Sequence, residues 1–333
     1  MEMELFSSTL IFGLKALIFV IAFVLAIIIP VLVIKKIKPE DSKKKLLTVE
    51  NLKEKYEKNI LSFNLKTLNK KKLKKYLKSL KENTKKEVAK NSSFLLSFVG
   101  DKMATQVENL REEITLILNI ATPEDEVILL LESPGGSVAH YGLAASQLQR
   151  LRDRNIPLTI CVDKVAGSGG YLMACVGSQI LSAPFAFIGS IGVLFGLPNI
   201  HDFLKKHDIN YEEITAGEHK RTLTPFGEIT EEKRNKLKEQ LELVHDQFKN
   251  FVLKHRKNLD LKQVATGEAW LAEEAFKKGL VDKIQCSDDY IMERLKINQV
   301  YKISLAAKQN FLEKFSKKME TQSSLIEKFF YLF

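Results

Sequence analysis

The alternation of short apolar runs with helical patterns, beginning near residue 92, constrains the possible folds most strongly. Three runs are nearly continuous in apolar residues and β-type in character: Phe94–Val99, Glu126–Leu131 and Leu158–Val162. Three helical patterns accompany them: Gln106–Ile120, Val138–Arg152 and a pattern that starts over Ser168–Cys175. Strands that are apolar on both faces belong inside a parallel sheet covered by helices. The sequence therefore predicts an α/β fold with a mainly parallel sheet, continued by a long charged helix over 230–257 and a helix–strand unit over 265–284.

Residues 16–34 carry no charge and consist almost entirely of aliphatic and phenylalanine residues. At about 1.5 Å per residue, a helix of this length spans the hydrocarbon core of a bilayer. The preceding segment, Met1 to Glu4, is acidic and no small-residue cleavage site follows, which disfavours a removable signal peptide. We predict an uncleaved N-terminal transmembrane helix.

A second uncharged stretch, 165–200, raises the alternative of a further membrane span. It contains seven glycines and two prolines, Pro184 and Pro198, which favour loops and tight packing in a soluble core. We therefore predict a single span.

The net charge of +10 is concentrated in one part of the chain. Residues 35–90 contain 20 lysines, no arginine and 7 acidic residues, so the remainder is slightly acidic. Few aromatic residues accompany the lysines, and nucleic-acid binding is therefore not expected. Two interpretations of this helix-prone segment stay open: a solvated spacer, or a polybasic segment that lies on anionic lipid beside the anchor.

These patterns divide the chain into four segments. We predict a membrane anchor over 1–34, a basic helical stalk over 35–90, a catalytic domain over 91–297 and a C-terminal helical tail over 298–333. The three cysteines show no metal-ligand spacing, and buried free thiols are the expectation for them. Neither a metal nor a cofactor is predicted.

Ser168 stands among small residues, after an apolar run and at the head of a helical pattern, where a substrate could approach it. A second glycine loop, Ser133 to Ser137, follows the strand that ends near Leu131, and such loops offer unblocked backbone N–H groups. Those donors suit an oxyanion. Either motif alone also fits an ordinary glycine turn.

A serine nucleophile needs a base, and the residues leave its identity open. His201, His207, His245 and His255 stand in charged helical surroundings that favour solvent-exposed faces, and His140 has no distinguishing spacing. Lys220 is the other candidate, because lysine replaces histidine in Ser-Lys variants of the catalytic triad. Such a lysine must be neutral, which requires an apolar, well-packed site.

Four segments, in this order, closely resemble the signal peptide peptidase A family of bacterial membrane serine proteases: 131–136 (LESPGG), 166–171 (AGSGGY), 188–193 (IGSIGV) and 215–224 (TAGEHKRTLT). The segments 265–270 (ATGEAW) and 279–282 (GLVD) match as well. The anchor, the basic stalk and the single catalytic unit are similar to the SohB-type branch of that family.

This resemblance implies a ClpP/crotonase-like catalytic domain with a Ser-Lys dyad. It implies that Ser168 is the nucleophile, Lys220 the general base and Ser190 the residue that orients the base. The backbone N–H groups of Gly136 and Gly169 match the oxyanion hole.

The resemblance also implies cleavage of apolar peptides, such as signal-peptide remnants or membrane-protein segments, and a homo-oligomer at the bacterial cytoplasmic (inner) membrane. The lysines that follow the anchor favour a cytoplasmic catalytic domain, whereas the family implies the outer side, and both remain open. Two rival functions also remain: a crotonase-type acyl-CoA enzyme, and a non-catalytic membrane scaffold on the same fold.

Overall fold

The computed structural model describes residues 45–86, 91–217, 220 and 222–307 of the 333-residue chain. The chain divides into two compact units, 47–305 and a second one formed by 1–46 and 306–333. Of the second unit, only residues 45–46 and 306–307 are described, and they belong to the first and the last strand of the described chain. The predicted anchor and the tail beyond residue 307 lie outside the described residues.

The described residues contain ten strands and ten helices. The strands are β1 (Lys45–Asn51), β2 (Ser92–Val99), β3 (Glu126–Glu132), β4 (Leu158–Val162), β5 (Val165–Gly167), β6 (Gln179–Ser182), β7 (Phe187–Gly189), β8 (Ala269–Leu271), β9 (Lys283–Ile284) and β10 (Gln299–Ala307). The helices are α1 (Leu52–Thr67), α2 (Lys70–Lys86), α3 (Val107–Ile120), α4 (Val138–Asp153), α5 (Gly169–Ala174), α6 (His201–Lys206), α7 (Glu231–His255), α8 (Leu261–Val264), α9 (Ala272–Lys277) and α10 (Ser287–Leu295).

Seven strands form the main sheet, in the order β1-β10-β2-β3-β4-β6-β9. The five pairings from β10 to β9 are all parallel. A smaller sheet has the order β5-β7-β8, parallel between β5 and β7 and antiparallel between β7 and β8. The predicted mixed α/β fold with a mainly parallel sheet is confirmed, and the three predicted central strands coincide with β2, β3 and β4.

Alternating side chains of the central strands supply two hydrophobic clusters, because neighbouring residues of a strand point to opposite faces of a sheet. On β2, Leu96 belongs to the larger cluster with α3, α4 and α5, whereas Leu95 belongs to the smaller cluster with α10. Helices thus cover both faces, which explains why the strands are apolar along their whole length.

Two strands come from segments predicted to be helical. Residues 45–51, assigned to the stalk, form β1, and residues 299–307, assigned to the helical tail, form β10. In β10, Val300 and Ile303 are buried, and the strand pairs in parallel with β2. These strands extend the main sheet beyond β2, and the expected boundary at residue 298 was therefore wrong. The helical prediction for the rest of the described stalk is confirmed by α1 and α2.

The uncharged stretch 165–200 contributes to the folded α/β core, as predicted. It supplies β5, α5, β6 and β7, and the buried hydrophobic side chains of these elements belong to the two hydrophobic clusters. Within the described residues, no helix combines the length and apolar character needed to cross a bilayer.

Candidate active site

Ser168 lies at a sharp turn between β5 and α5. Its backbone has φ 50° and ψ −119°, a conformation that non-glycine residues rarely adopt and that costs about 1–3 kcal/mol. The turn is fixed on both sides, because the Ser168 N–H donates to the Gly189 carbonyl (2.8 Å) and the Gly167 N–H donates to the Ser133 carbonyl (3.0 Å). The serine side chain is half-buried at the beginning of a helix, and a strained residue held in this way is typical of a functional position.

The second glycine loop passes against this turn. Gly135 has φ +90°, and a Cβ on it would lie 2.6 Å from the Gly169 nitrogen and 2.7 Å from the Ser168 Cβ. A Cβ on Gly136 would lie 2.2 Å from the Lys102 carbonyl oxygen. Only glycine fits at these two positions, and the fit brings the backbone of the loop directly beside the serine.

Two backbone amides near the serine are available as donors. Neither the Gly136 nor the Gly169 N–H has a hydrogen-bond acceptor within the described part of the chain. Both glycines line the same cavity as Ser168. Unpaired backbone amides beside a serine hydroxyl are the kind of hydrogen-bond donors that form an oxyanion hole.

The cavity beside Ser168 has a volume of about 300 Å³ and a largely apolar lining. Helix α4 contributes Tyr141 and Ala145, α5 contributes Leu172, and α7 contributes Phe248 and Phe251. A cavity of this kind binds an apolar group and leaves few polar atoms to compete for it.

Ser190 follows β7 and also has a left-handed backbone, with φ 52°. Its N–H donates to the Glu268 carbonyl (2.6 Å), and its hydroxyl donates to the Gly267 carbonyl (3.3 Å). A Cβ built on Gly167 would lie 3.8 Å from the Ser190 Cβ. Ser190 is therefore close to the residue that precedes Ser168.

The structure does not bring Lys220 into this group. The residue is exposed, its backbone N–H donates to the Gly217 carbonyl (3.1 Å), and it is not among the residues that line the cavity. Among the described residues, its side chain has no hydrogen bond to Ser168 or Ser190. The described residues between α6 and α7 form neither helix nor strand, so little local structure fixes the lysine.

Of the four histidines predicted to lie on solvent-exposed faces, His207 is exposed, whereas His201, His245 and His255 are half-buried. His245 of α7 is half-buried, and its Nε2 lies 3.3 Å from the Ile191 carbonyl oxygen, to which an Nε2–H donates in the Nε2-protonated tautomer. The contact joins α7 to the segment that contains Ser190. Helical spacing could have revealed the burial of His245, though not its partner, because the residue follows Leu241 and precedes Phe248 and Val252 at intervals of four, three and four residues.

His255 is also half-buried, and its Nε2 has no hydrogen-bond partner within the described residues. Burial, with a smaller contribution from Lys254, lowers the pKa of this imidazole below its usual range. The neutral ring packs against Phe251, with ring centroids 4.9 Å apart. His140, by contrast, lies next to the glycine loop, where its Nδ1 is 2.8 Å from the Ser137 hydroxyl.

An ion pair connects the end of α7 to the segment before β9, and a hydrogen bond from α5 reaches the same segment. The Arg256 guanidinium donates to both carboxylate oxygens of Asp282 (2.7 and 2.8 Å) and to the Gly279 carbonyl (2.7 Å). Asp282 also accepts from the Ile180 N–H (2.7 Å), and the buried Tyr171 hydroxyl of α5 donates to the Leu280 carbonyl (3.1 Å). Sequence patterns gave no indication of this pair.

The chain is similar to known proteases over most of its length. The model of peptidase family S49 matches residues 150–300, and that of the N-terminal part of the same family matches residues 4–148. The chain is 50% identical over 240 residues to the probable protease SohB of Haemophilus influenzae, covering 72% of this chain and 68% of the relative. It is 45% identical to the probable protease SohB of Buchnera aphidicola from Acyrthosiphon pisum, over 76% of this chain and 74% of the relative.

A more distant relative is protease 4 of Haemophilus influenzae, 27% identical over 160 residues, which cover 47% of this chain and 26% of that protein. The two family models together cover nearly the whole chain, and the SohB relatives align with most of it. The resemblance predicted from the motifs is confirmed: the chain belongs to peptidase family S49 and is a serine peptidase.

Proposed function

We propose that the chain is a membrane-anchored serine endopeptidase in which Ser168 is the nucleophile and Lys220 the general base. The observation that carries the proposal is the strained backbone of Ser168 at an apolar cavity, which Gly136 and Gly169, with their free amides, also line. The mainly parallel sheet with helices on both faces supports the ClpP/crotonase-like fold implied by the motifs.

The chemistry follows the order of an acyl-enzyme reaction. The Ser168 Oγ attacks the peptide carbonyl carbon, and its proton passes to the neutral Nζ of Lys220. The two glycine amides stabilise the negative charge that develops on the carbonyl oxygen. The lysine then gives the proton to the leaving amine as the C–N bond breaks, and water hydrolyses the acyl-enzyme.

In the described state, Lys220 is exposed and has no hydrogen bond to Ser168. Catalytic hydrogen bonds often form only in the substrate complex, and we propose that the Lys220 side chain reaches Ser168 when a peptide binds. Ser190, near the residue that precedes Ser168, would then orient the lysine. A second subunit could complete this arrangement, in agreement with the proposed homo-oligomer.

The proposed substrates are apolar peptides, such as signal-peptide remnants or membrane-protein segments. The apolar lining of the cavity supports this proposal, because a large aliphatic or aromatic side chain fills such a space favourably. The anchor over 16–34 would hold the enzyme at the bacterial inner membrane, where peptides of this kind arise.

The test uses the full chain, purified in detergent, with a fluorogenic apolar peptide. Ser168→Ala should lower kcat by about a thousandfold or more and abolish labelling by a fluorophosphonate probe. Lys220→Ala should lower kcat comparably. The matched control is Lys206→Ala, which removes an exposed lysine of α6 and should keep wild-type activity.

Each result separates the alternatives. Loss of activity in Ser168→Ala but not in Lys220→Ala would refute the dyad and leave the serine nucleophile standing. Wild-type cleavage by both variants would refute the proposed site, while acyl-CoA turnover without covalent labelling of Ser168 would favour a crotonase-type reaction.

A further inference from the structure

Helix α2 is an unusually basic element on the outside of the molecule. It contains nine lysines and one acidic residue in 17 positions. The six lysines whose side chains are described are all exposed: Lys70, Lys71, Lys72, Lys74, Lys75 and Lys78. The half-buried residues of the helix, Leu73, Tyr76 and Leu80, recur at helical spacing on the other side.

The charges of α2 are not compensated within the described part of the protein. None of its six described lysines takes part in an ion pair with another described residue. Its first turn has three lysines and no acidic residue, although the N-terminal end of a helix dipole is positive and favours anions. Lys70 and Lys74, and likewise Lys71 and Lys75, are also four residues apart, where like charges repel each other. An external anionic surface would relieve both effects.

The preceding helix adds an exposed apolar stripe. Tyr56, Ile60 and Phe63 of α1 follow one another at intervals of four and three residues, which places them on one side of the helix. Their exposed fractions are 40%, 51% and 67%. Side chains of this kind enter the interface between lipid headgroups and acyl chains when a basic helix lies on a membrane.

We propose that α1 and α2 together form a docking surface for an anionic lipid bilayer, which holds the catalytic domain against the membrane. Lysines of α2 would contact lipid headgroups, and Tyr56, Ile60 and Phe63 would enter the interface. This inference rests on the proposed anchor, whose predicted end at residue 34 precedes α2 by 36 positions. The exposed aliphatic and aromatic stripe favours lipid over nucleic acid, which binds basic proteins through its phosphates and offers no apolar phase for isoleucine.

The test measures how fast the α2 lysines react with an amine-specific label. The full chain is incorporated into nanodiscs of phosphatidylcholine alone, or with about 30% phosphatidylglycerol as the anionic lipid. Mass spectrometry then follows each lysine. In the anionic discs, we expect labelling of the α2 lysines to slow by about threefold or more and to recover at high salt, because salt screens the attraction.

Two variants give the matched comparison. The first reverses charge on α2 and should lose the lipid-dependent protection at the remaining α2 lysines: Lys71→Glu, Lys74→Glu and Lys75→Glu. The second variant reverses the charge of three exposed lysines on and just after α7: Lys238→Glu, Lys254→Glu and Lys257→Glu. It should keep the lipid-dependent protection of the α2 lysines.

The outcomes distinguish this proposal from the proposed function. Equal labelling in the two discs overturns the docking surface while leaving the anchor and the peptidase untouched. Protection by a DNA or RNA oligonucleotide but not by anionic lipid also overturns it, as does protection that depends only on protein concentration. Failure of the chain to enter either disc overturns the anchor and this inference together, whereas peptide cleavage is read separately.

Discussion

Substitution of Gly169 by alanine should disable the enzyme through a displacement of about 1 Å. A Cβ at this position would lie 2.4 Å from the Tyr141 Cγ and 2.7 Å from its Cβ, so the two elements must separate by about 1 Å to reach ordinary contact. Tyr141 cannot yield easily, because it is fully buried and its hydroxyl bonds to the Asp101 carbonyl (2.7 Å) and the Ser133 hydroxyl (2.5 Å). The beginning of α5 must therefore move, and Ser168 moves with it.

The size of the effect follows from that displacement. A 1 Å misplacement of a reacting group costs about 100-fold in rate, which equals about 2.7 kcal/mol of transition-state stabilisation. Overpacking of the buried ring should lower the free energy of unfolding by about 1–3 kcal/mol. We expect kcat/KM on an apolar peptide, and the rate of fluorophosphonate labelling of Ser168, to fall together.

The control for the stability measurement is Gly142→Ala on α4, where a Cβ meets no atom within 4 Å. That substitution should preserve or raise the free energy of unfolding, since alanine is favoured over glycine inside a helix. If Gly169→Ala keeps wild-type kcat/KM and an unchanged unfolding midpoint, the tight contact with Tyr141 does not position Ser168 and the reasoning fails.

Three further predictions concern an ion pair, a half-buried histidine and the cysteines. Arg256→Met should lower the free energy of unfolding by about 2–3 kcal/mol, because Asp282 keeps its charge in a site where its side chain is only 32% exposed. Urea titration measures this change, and an unchanged midpoint would contradict a stabilising role for the ion pair. The pKa of His255 is lower in the folded chain than in the unfolded chain. As the pH falls below about 6.5, the unfolded chain therefore takes up a proton before the folded chain does, and the free energy of unfolding decreases. Above that pH, the contribution of this histidine to stability is intact. His255→Gln should flatten the pH dependence of the unfolding midpoint below that pH, and an identical slope would exclude this origin. Iodoacetamide should modify Cys286 in the native protein much faster than Cys175, because Cys175 is buried and burial raises the pKa of its thiol. In a mass-spectrometric time course, the two rates should become equal when the protein is unfolded. Fast modification of Cys175 in the native protein would refute its burial.

The central sheet could be predicted because its signal is local. A strand buried on both faces must be apolar along its length, and β4 coincides with the predicted run Leu158–Val162. The two outer strands, β1 and β10, could not be predicted in this way. Each is mixed in composition and becomes a strand by pairing at the edge of the sheet, which depends on residues far away in the chain.

In the candidate site, too, some residues could be predicted from the sequence and some contacts could not. The ordered glycine motifs, through the family resemblance that they carry, indicated Ser168, Gly136 and Gly169. Such motifs are recognisable because close approach of backbone to backbone tolerates no side chain. The contact of His245 with Ile191 joins residues 54 positions apart, and the pairing of Arg256 with Asp282 joins residues 26 apart. No local pattern encodes such distances.

The sequence by itself determined the mainly parallel α/β core, the family and the serine with its two glycine loops, since these depend on periodicity and on short motifs that resist substitution. Only the tertiary structure decided that Ser168 has a strained backbone beside an apolar cavity, because that geometry is imposed by β7 and by α4 and α7, which are distant in sequence. It also decided that Lys220 is exposed and apart from the serine in the described state. A lysine becomes a base only through burial and packing, and these are properties of the assembled site rather than of the residue's place in a motif.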